Sequence, residues 1–258
     1  MSLRGNGYID SHAHLADLDM GTLDKSCSEI SAVLNIGTDI ETSLAVVAQS
    51  DKSQFPLYCA VGIAIPHIAE ESLPQDWVTI LQELIKSESV IAIGETGIDS
   101  ANSSYPPMDL QLTFFQKHIA LALENDLPLI VHSRGSEREA LEICKEMGVK
   151  KVVFHCYTGP AELVSDIMEA GYYISLSGIV TFKKSGLEEV VQLIESNKLL
   201  IETDSPYLAP VPFRGKQNRP NYVSLVGDTI AELRGISPEE LKKNIQTNFE
   251  TLFSVSVN

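Results

Sequence analysis

Basic residues are scarce in this 258-residue chain: 19 Lys and Arg stand against 35 Asp and Glu, a formal net charge of −16. That balance excludes a protein that coats nucleic acid with a broadly basic face, while leaving room for a locally basic site. Cysteine is sparse too. Cys27, Cys59, Cys144 and Cys156 form no C-x-x-C pair, which argues against a disulfide scaffold and reads as reduced thiols in the cytoplasm. No stretch approaches the roughly 18 apolar residues of a membrane span. Asp10, His12 and His14 arrive before any run that would serve as a signal peptide, so the expectation is a soluble, cytoplasmic protein. With 44% hydrophobic and 21% charged residues, disorder, collagen-like repeats and coiled coil are excluded. Linkers, charge blocks, internal repeats and low-complexity segments are missing as well. One domain over residues 1–258 is expected, and Met1-Ser2-Leu3 is given no structural meaning.

What is present is a rhythm. Short β-branched, apolar runs recur at residues 7–10, 32–37, 57–63, 90–94, 128–131, 151–154, 172–176 and 199–201, which makes eight candidate strands. Between them apolar residues fall at helical spacing, as in Leu110, Phe114, Phe115 and Ile119, or Leu187, Val190, Val191 and Ile194. Alternating strands and helices, with runs too apolar to be half exposed, predict a parallel sheet covered by helices. Ser237-Pro238-Glu239-Glu240 combines an N-cap residue, a first-turn proline and early acids, which predicts a C-terminal helix.

The choice between a barrel and an open sheet rests on where the chemically useful residues fall. Asp10, His12 and His14 leave the first run, Glu95 follows the fourth, His132 closes the fifth, His155 closes the sixth and Asp204 follows the eighth. A barrel gathers all those strand ends at one rim, whereas an open sheet scatters them along an edge. The prediction is therefore an α/β protein, a single-domain TIM-type (β/α)8 barrel with a C-terminal helix.

In Asp10-Ser11-His12-Ala13-His14 the two histidines are two apart, so both rings point to one face of an extended backbone. Nitrogen and carboxylate donors without thiolate suit Zn, Mn, Fe or Mg. Glu95, alone after its strand, is the natural bridge between two cations. Asp204 is assigned as metal ligand and proton acceptor, with Glu202, two residues earlier, as its competitor. His118, inside a helical pattern, reads as structural.

These residues carry a resemblance. The segments Asp10-Ser11-His12-Ala13-His14-Leu15, Gly94-Glu95-Thr96-Gly97-Ile98-Asp99, Val131-His132-Ser133-Arg134, Phe154-His155-Cys156-Tyr157-Thr158-Gly159 and Glu202-Thr203-Asp204-Ser205-Pro206-Tyr207-Leu208-Ala209-Pro210, continuing through Arg214-Gly215-Lys216, occur in family order over almost the whole chain. The sequence resembles the TatD-family metal-dependent hydrolases, a nuclease branch of the amidohydrolase superfamily. The resemblance implies a barrel with His12, His14, Glu95 and Asp204 around one divalent ion and Glu95, His132 and His155 around a second. It assigns Asp10 as a partner that fixes a ligating imidazole. It also implies hydrolysis of DNA phosphodiesters, with several members acting as exonucleases from a 3′ end. Two departures stand out. Where the family has Gly-x-His-Pro-His, this chain has Gly62-Ile63-Ala64-Ile65-Pro66-His67, which leaves His67 alone as a phosphate contact. After Asp99, where the family tends to aromatic residues, the chain reads Ser100-Ala101-Asn102-Ser103-Ser104-Tyr105-Pro106-Pro107.

Outside the ligand set, Arg134, Lys183, Lys184, Arg214, Lys216 and Arg219 all fall in expected rim loops, and residues 205–227 contain no acid. Arg134, Lys183, Arg214 and His67 are assigned as substrate contacts, with Tyr157 and Tyr207 as stacking platforms for a terminal base. A small basic mouth on an acidic body favours single-stranded DNA ends over a long duplex. The expected reading is a metal-dependent deoxyribonuclease, a 3′–5′ exonuclease with two ions (Mg, Mn or Zn). The competitors are an amidohydrolase acting on a small amide, lactone or phosphoester, and a non-catalytic metal-binding barrel.

Overall fold

The computed structural model describes residues 7–27 and 29–257; Met1-Ser2-Leu3 lie outside them. Eight parallel strands pair in sequential order, each followed by a helix. They are β1 (Ile9–Ala13), α1 (Met20–Ser26), β2 (Ala32–Ile36), α2 (Ile40–Ser50), β3 (Leu57–Val61), α3 (Trp77–Leu84), β4 (Val90–Asp99) and α4 (Met108–Asn125) in the first half. The second half holds β5 (Leu129–Arg134), α5 (Glu137–Glu146), β6 (Val152–Phe154), α6 (Val164–Glu169), β7 (Tyr173–Leu176), α7 (Glu188–Leu193), β8 (Leu199–Ile201) and α8 (Val223–Arg234). A last helix, α9 (Pro238–Phe253), starts as its sequence predicts, with the Ser237 side chain accepting from the Glu240 amide and Pro238 in the first turn. All eight expected strands form. Their continuous apolar runs are buried on both faces, against helices outside and against one another inside.

The ring closes between β8 and β1. The Asp204 amide donates to the His12 carbonyl (2.9 Å) and the His14 amide to the Ser205 carbonyl (2.7 Å). Two side chains of β1 fasten this seam. Ser11 Oγ donates to the Ile201 carbonyl (2.9 Å), while the Asp10 carboxylate accepts from the Thr203 amide (2.8 Å) and hydroxyl (2.6 Å). Asp10 thus reaches across the chain to the seam and touches no imidazole ring, contrary to the expectation that it would fix one; its only contact with His12 is the backbone amide. Burial pushes its carboxyl up to about 8, against the lowering effect of these bonds.

β4 runs five residues beyond the expected end at Gly94, so Glu95 lies within the strand rather than after it. Glycine suggests punctuation, but here it permits close approach. At Gly97 (φ +148°) an added Cβ would lie 1.9 Å from the His132 carbonyl, so only glycine lets β4 sit this close to β5. That contact sets Gly97 opposite His132 in the register.

Candidate metal centre

The mouth of the barrel brings together all six residues expected as ligands. Glu95 is at the centre. Its Oε2 lies 3.5 Å from His12 Nε2 and 3.6 Å from His14 Nε2. Its Oε1 lies 3.0 Å from His132 Nδ1 and 3.2 Å from His155 Nε2. One carboxylate therefore faces a histidine pair with each oxygen. Asp204 Oδ1 joins the first pair, 3.2 Å from His14 Nε2 and 3.9 Å from His12 Nε2. Asp204 holds a left-handed backbone (φ +56°), a conformation a non-glycine residue adopts at a cost of about 1 kcal/mol and one that is concentrated at functional sites.

These donors fit divalent cations. His12 Nε2 and His14 Nε2 face each other at 3.2 Å, and His155 Nε2 and His132 Nδ1 at 3.4 Å. A tetrahedral ion with bonds of about 2.05 Å separates its ligand atoms by about 3.3 Å, so the pairs are spaced as ligands of a shared cation. His12, His14 and Glu95 form one such group, and Glu95, His132 and His155 another. The buried His12 Nδ1 has no hydrogen-bond partner.

The partners that fix imidazoles are Asp99 and Glu202. Asp99 Oδ2 accepts from His132 Nε2 (3.1 Å) and Glu202 Oε1 from His155 Nδ1 (3.3 Å), which leaves the other ring nitrogen of each histidine facing Glu95. Asp99 also anchors the loop that follows it, its Oδ1 accepting from the amides of Ala101 and Asn102. Neither assignment was visible in the sequence, although Glu202 stands two residues before Asp204 just past β8 and Asp99 follows the Gly-Glu-Thr-Gly segment.

Electrostatics follow from this crowding. Burial alone would raise Glu95, but the charge of His155 and hydrogen bonds from His12, His132 and His155 hold it well below the ordinary carboxylate range. Burial likewise opposes charge on His155, yet Glu95 and Glu202 push it well above an ordinary imidazole. Asp204 is lowered, burial being outweighed by His14. Among the four mouth histidines only His12 goes down, through burial and the charge of His155, whose ring stacks on it at 4.0 Å.

A cavity of about 770 Å³ opens over the site, walled by His14, Glu95, His132, His155 and Asp204. Arg134, His67, Tyr207 and Arg219 also line it. Tyr207 is 61% exposed, with its ring 5.9 Å from that of His14, and so offers a free face. Three expected substrate contacts are placed elsewhere. Tyr157 is 2% exposed and its hydroxyl donates to the Pro160 carbonyl, so no face is left for a base to stack on. Lys183 and Arg214 are exposed but outside the cavity wall, with Arg214 lying over the Phe182 ring at 4.3 Å.

With the geometry in place, comparison with known proteins is specific. The family model described as TatD-related DNase matches residues 9–254. The chain belongs to the TatD family. It is thereby a member of a family of metal-dependent hydrolases. It is 36% identical to an uncharacterized metal-dependent hydrolase, YabD, of Bacillus subtilis over 96% of this chain and 99% of that protein. It is 34% identical to another, YcfH of Escherichia coli, over 97% of each. The crystal structure of YjjV, a TatD homologue from E. coli K12, superposes with a TM-score of 0.90 at 26% identity, covering 99% of this chain and all of that one. Among the described residues no helix is long and apolar enough to cross a membrane.

Proposed function

We propose that this TatD-family chain hydrolyses phosphodiester bonds in DNA, trimming single-stranded ends from the 3′ side with two divalent cations. The observation that carries the proposal is Glu95, whose two oxygens each face a separate histidine pair. Two groups of candidate ligands that share one carboxylate suit displacement at phosphorus, and the family model itself is described as a DNase. His12, His14 and Asp204 would hold one cation, His132 and His155 the other, and Glu95 both. Bound there, the cations would lower the pKa of a water and offset charge on the phosphate oxygens.

The chain's own groups supply the rest. Asp99 and Glu202 hold one ring nitrogen each of His132 and His155, so that the other would face a bound cation and give up its proton to it. Asp204, kept ionised beside His14, accepts the proton of the attacking water and returns it to the leaving oxygen. Arg134 and Arg219, on the cavity wall, pair with phosphate oxygens. Tyr207 stacks on the terminal base. The cavity lies within the 300–1,000 Å³ that pockets use to enclose one compact ligand, which favours a strand end over a duplex interior.

The test is an assay of chelator-stripped protein on 5′-labelled single-stranded DNA with Mg, Mn or Zn added separately and Glu95→Ala alongside. Stepwise shortening from the 3′ end that needs both metal and Glu95 supports the reading. No cleavage with metal bound transfers it to a small phosphoester or amide, which a cavity of this size also admits.

A further inference from the structure

Five basic residues at and beside the cavity rim have a common address. Lys183 and Lys184 lie in the loop after β7, Arg214 and Lys216 in the loop after β8, and Arg219 where that loop meets the cavity wall. The two loops are tied together. The Val211 amide donates to Thr181 Oγ1 (2.9 Å), a Cβ on Gly178 would lie 2.3 Å from the Leu208 carbonyl, and Arg214 of one loop covers Phe182 of the other. They form one ridge beside the mouth, with Arg219 and Tyr207 at its inner end.

This ridge concentrates cations where acids are missing. Several cations elsewhere are paired with acids, as in Lys86–Glu83, Arg138–Asp166, Lys145–Glu142 and Lys151–Asp126, and Lys117 and Lys242 lie singly over aromatic rings. Residues 177–187 and 205–227 contain no Asp or Glu, in a chain with 35. Arg214 and Lys216 lie instead over the rings of Phe182 and Phe213, and Phe213 stacks on Tyr222 at 4.3 Å. Cations without acid partners, interleaved with half-buried aromatic rings, suit a flexible polyanion with planar groups. An acidic body would repel that polyanion everywhere else.

We infer that this ridge is a binding track for single-stranded nucleic acid, holding the backbone of the strand several nucleotides away from the end seated in the cavity. The inference rests on the proposed nuclease reading for its substrate class and extends it to a second, separate contact surface. Its consequence is length dependence. A trinucleotide fills the cavity only, whereas a longer strand also meets Lys183, Arg214 and Lys216.

The experiment measures fluorescence anisotropy of labelled, phosphorothioate-linked dT15 and dT3 on the metal-loaded full chain and on a Lys183→Gln/Arg214→Gln/Lys216→Gln variant, over a range of KCl. Each phosphate contact on a single strand contributes about 0.7 to the salt slope, so losing three lowers the slope for dT15 by about 2 and its affinity at 0.1 M salt by roughly 100-fold. Affinity for dT3 is expected to stay the same. Equal dT15 affinity and slope in the two proteins overturns the track, as does an equal loss for both oligonucleotides. The three positions are exposed, and a circular-dichroism melt checks that the variant folds. Binding is read without turnover, so the two readings fail separately: a track without cleavage of ordinary DNA sinks the nuclease, and cleavage without length-dependent binding sinks the track.

Discussion

Five of the six histidines come from two regions that bury the same ring to opposite ends. His118 on α4 is fully buried, its Nδ1 donating to the Phe114 carbonyl (2.8 Å) and its Nε2 accepting from the Ile63 amide (3.0 Å). Trp77 stacks on it at 4.8 Å. Both nitrogens are satisfied by neutral backbone groups, so nothing offsets the loss of solvent and burial pushes the ring down to about 4. At the barrel mouth His12 Nε2, His14 Nε2 and both ring nitrogens of His132 and His155 face carboxylates or one another, and three of the four rings are raised although burial opposes charge on each. Burial therefore says little about what a histidine does. The identity of its partners decides whether it braces the fold or waits for a cation.

Removing the carboxylate that sets the mouth apart is the strongest way to break this contrast. Glu95→Ala is expected to lose both metals, measured by elemental analysis, and at least about a thousandfold of its activity, equivalent to about 4 kcal/mol of barrier. Retention of two ions per chain by that variant would mean the four mouth histidines do not depend on a bridge.

The second test addresses His118. Its folded-state value of about 4 lies below the ordinary 6.5, so the unfolded chain binds the extra proton as pH falls. Its contribution is complete above pH 6.5 and is lost progressively between 6.5 and 4, about 3 kcal/mol in all. Urea unfolding of metal-free protein at several pH values should show His118→Gln losing less stability than wild type across that window. Parallel curves would place His118 among solvated residues and erase its difference from the mouth.

A finer distinction separates residues within the mouth. Asp99→Asn and Glu202→Gln keep the shape but loosen the tautomers of His132 and His155, so each is expected to weaken metal binding 10–100-fold, about 1–3 kcal/mol. Isothermal titration should show the loss at the site holding His132 and His155, with the site holding His12 and His14 less affected. Equal weakening of both would show that Glu95 transmits the disturbance across the centre.

Much of this was readable beforehand because barrel strands are buried on both faces and announce themselves as continuous apolar runs. The placement of His12, His14, Glu95, His132, His155 and Asp204 near the ends of those runs then favoured a closed barrel over an open sheet. What escaped was contact between distant segments. Asp10 sits two residues from His12 and was assigned to an imidazole, yet its partner is Thr203, 193 residues away across the seam. Asp99 anchors a ring on the neighbouring strand and Glu202 one two strands away across the barrel mouth, which only the closed barrel reveals. Tyr157 stands two residues after the mouth residue His155 in sequence, but the turn after β6 sends its ring into the core. Lys183 and Arg214 were correctly placed in rim loops, but a rim is wider than a cavity, and residue order does not say which side of it a side chain occupies.

His67, the sixth histidine, belongs to neither group and calls for the smallest effect. It lines the cavity, yet its Nδ1 is 2.8 Å from Glu70 Oε1 and 3.9 Å from Asp39 Oδ2, with Glu70 exposed. A pair this open to solvent contributes about 0–1 kcal/mol, and the adjacent carboxylates weaken any pull on a phosphate. His67→Ala should leave the melting temperature nearly unchanged and raise KM for single-stranded DNA less than about fivefold with kcat intact, the pattern of a lost ground-state contact. A fall in kcat of tenfold or more would instead move His67 into the company of the mouth histidines, and would mean that the altered loop at residues 62–67 still serves the reaction.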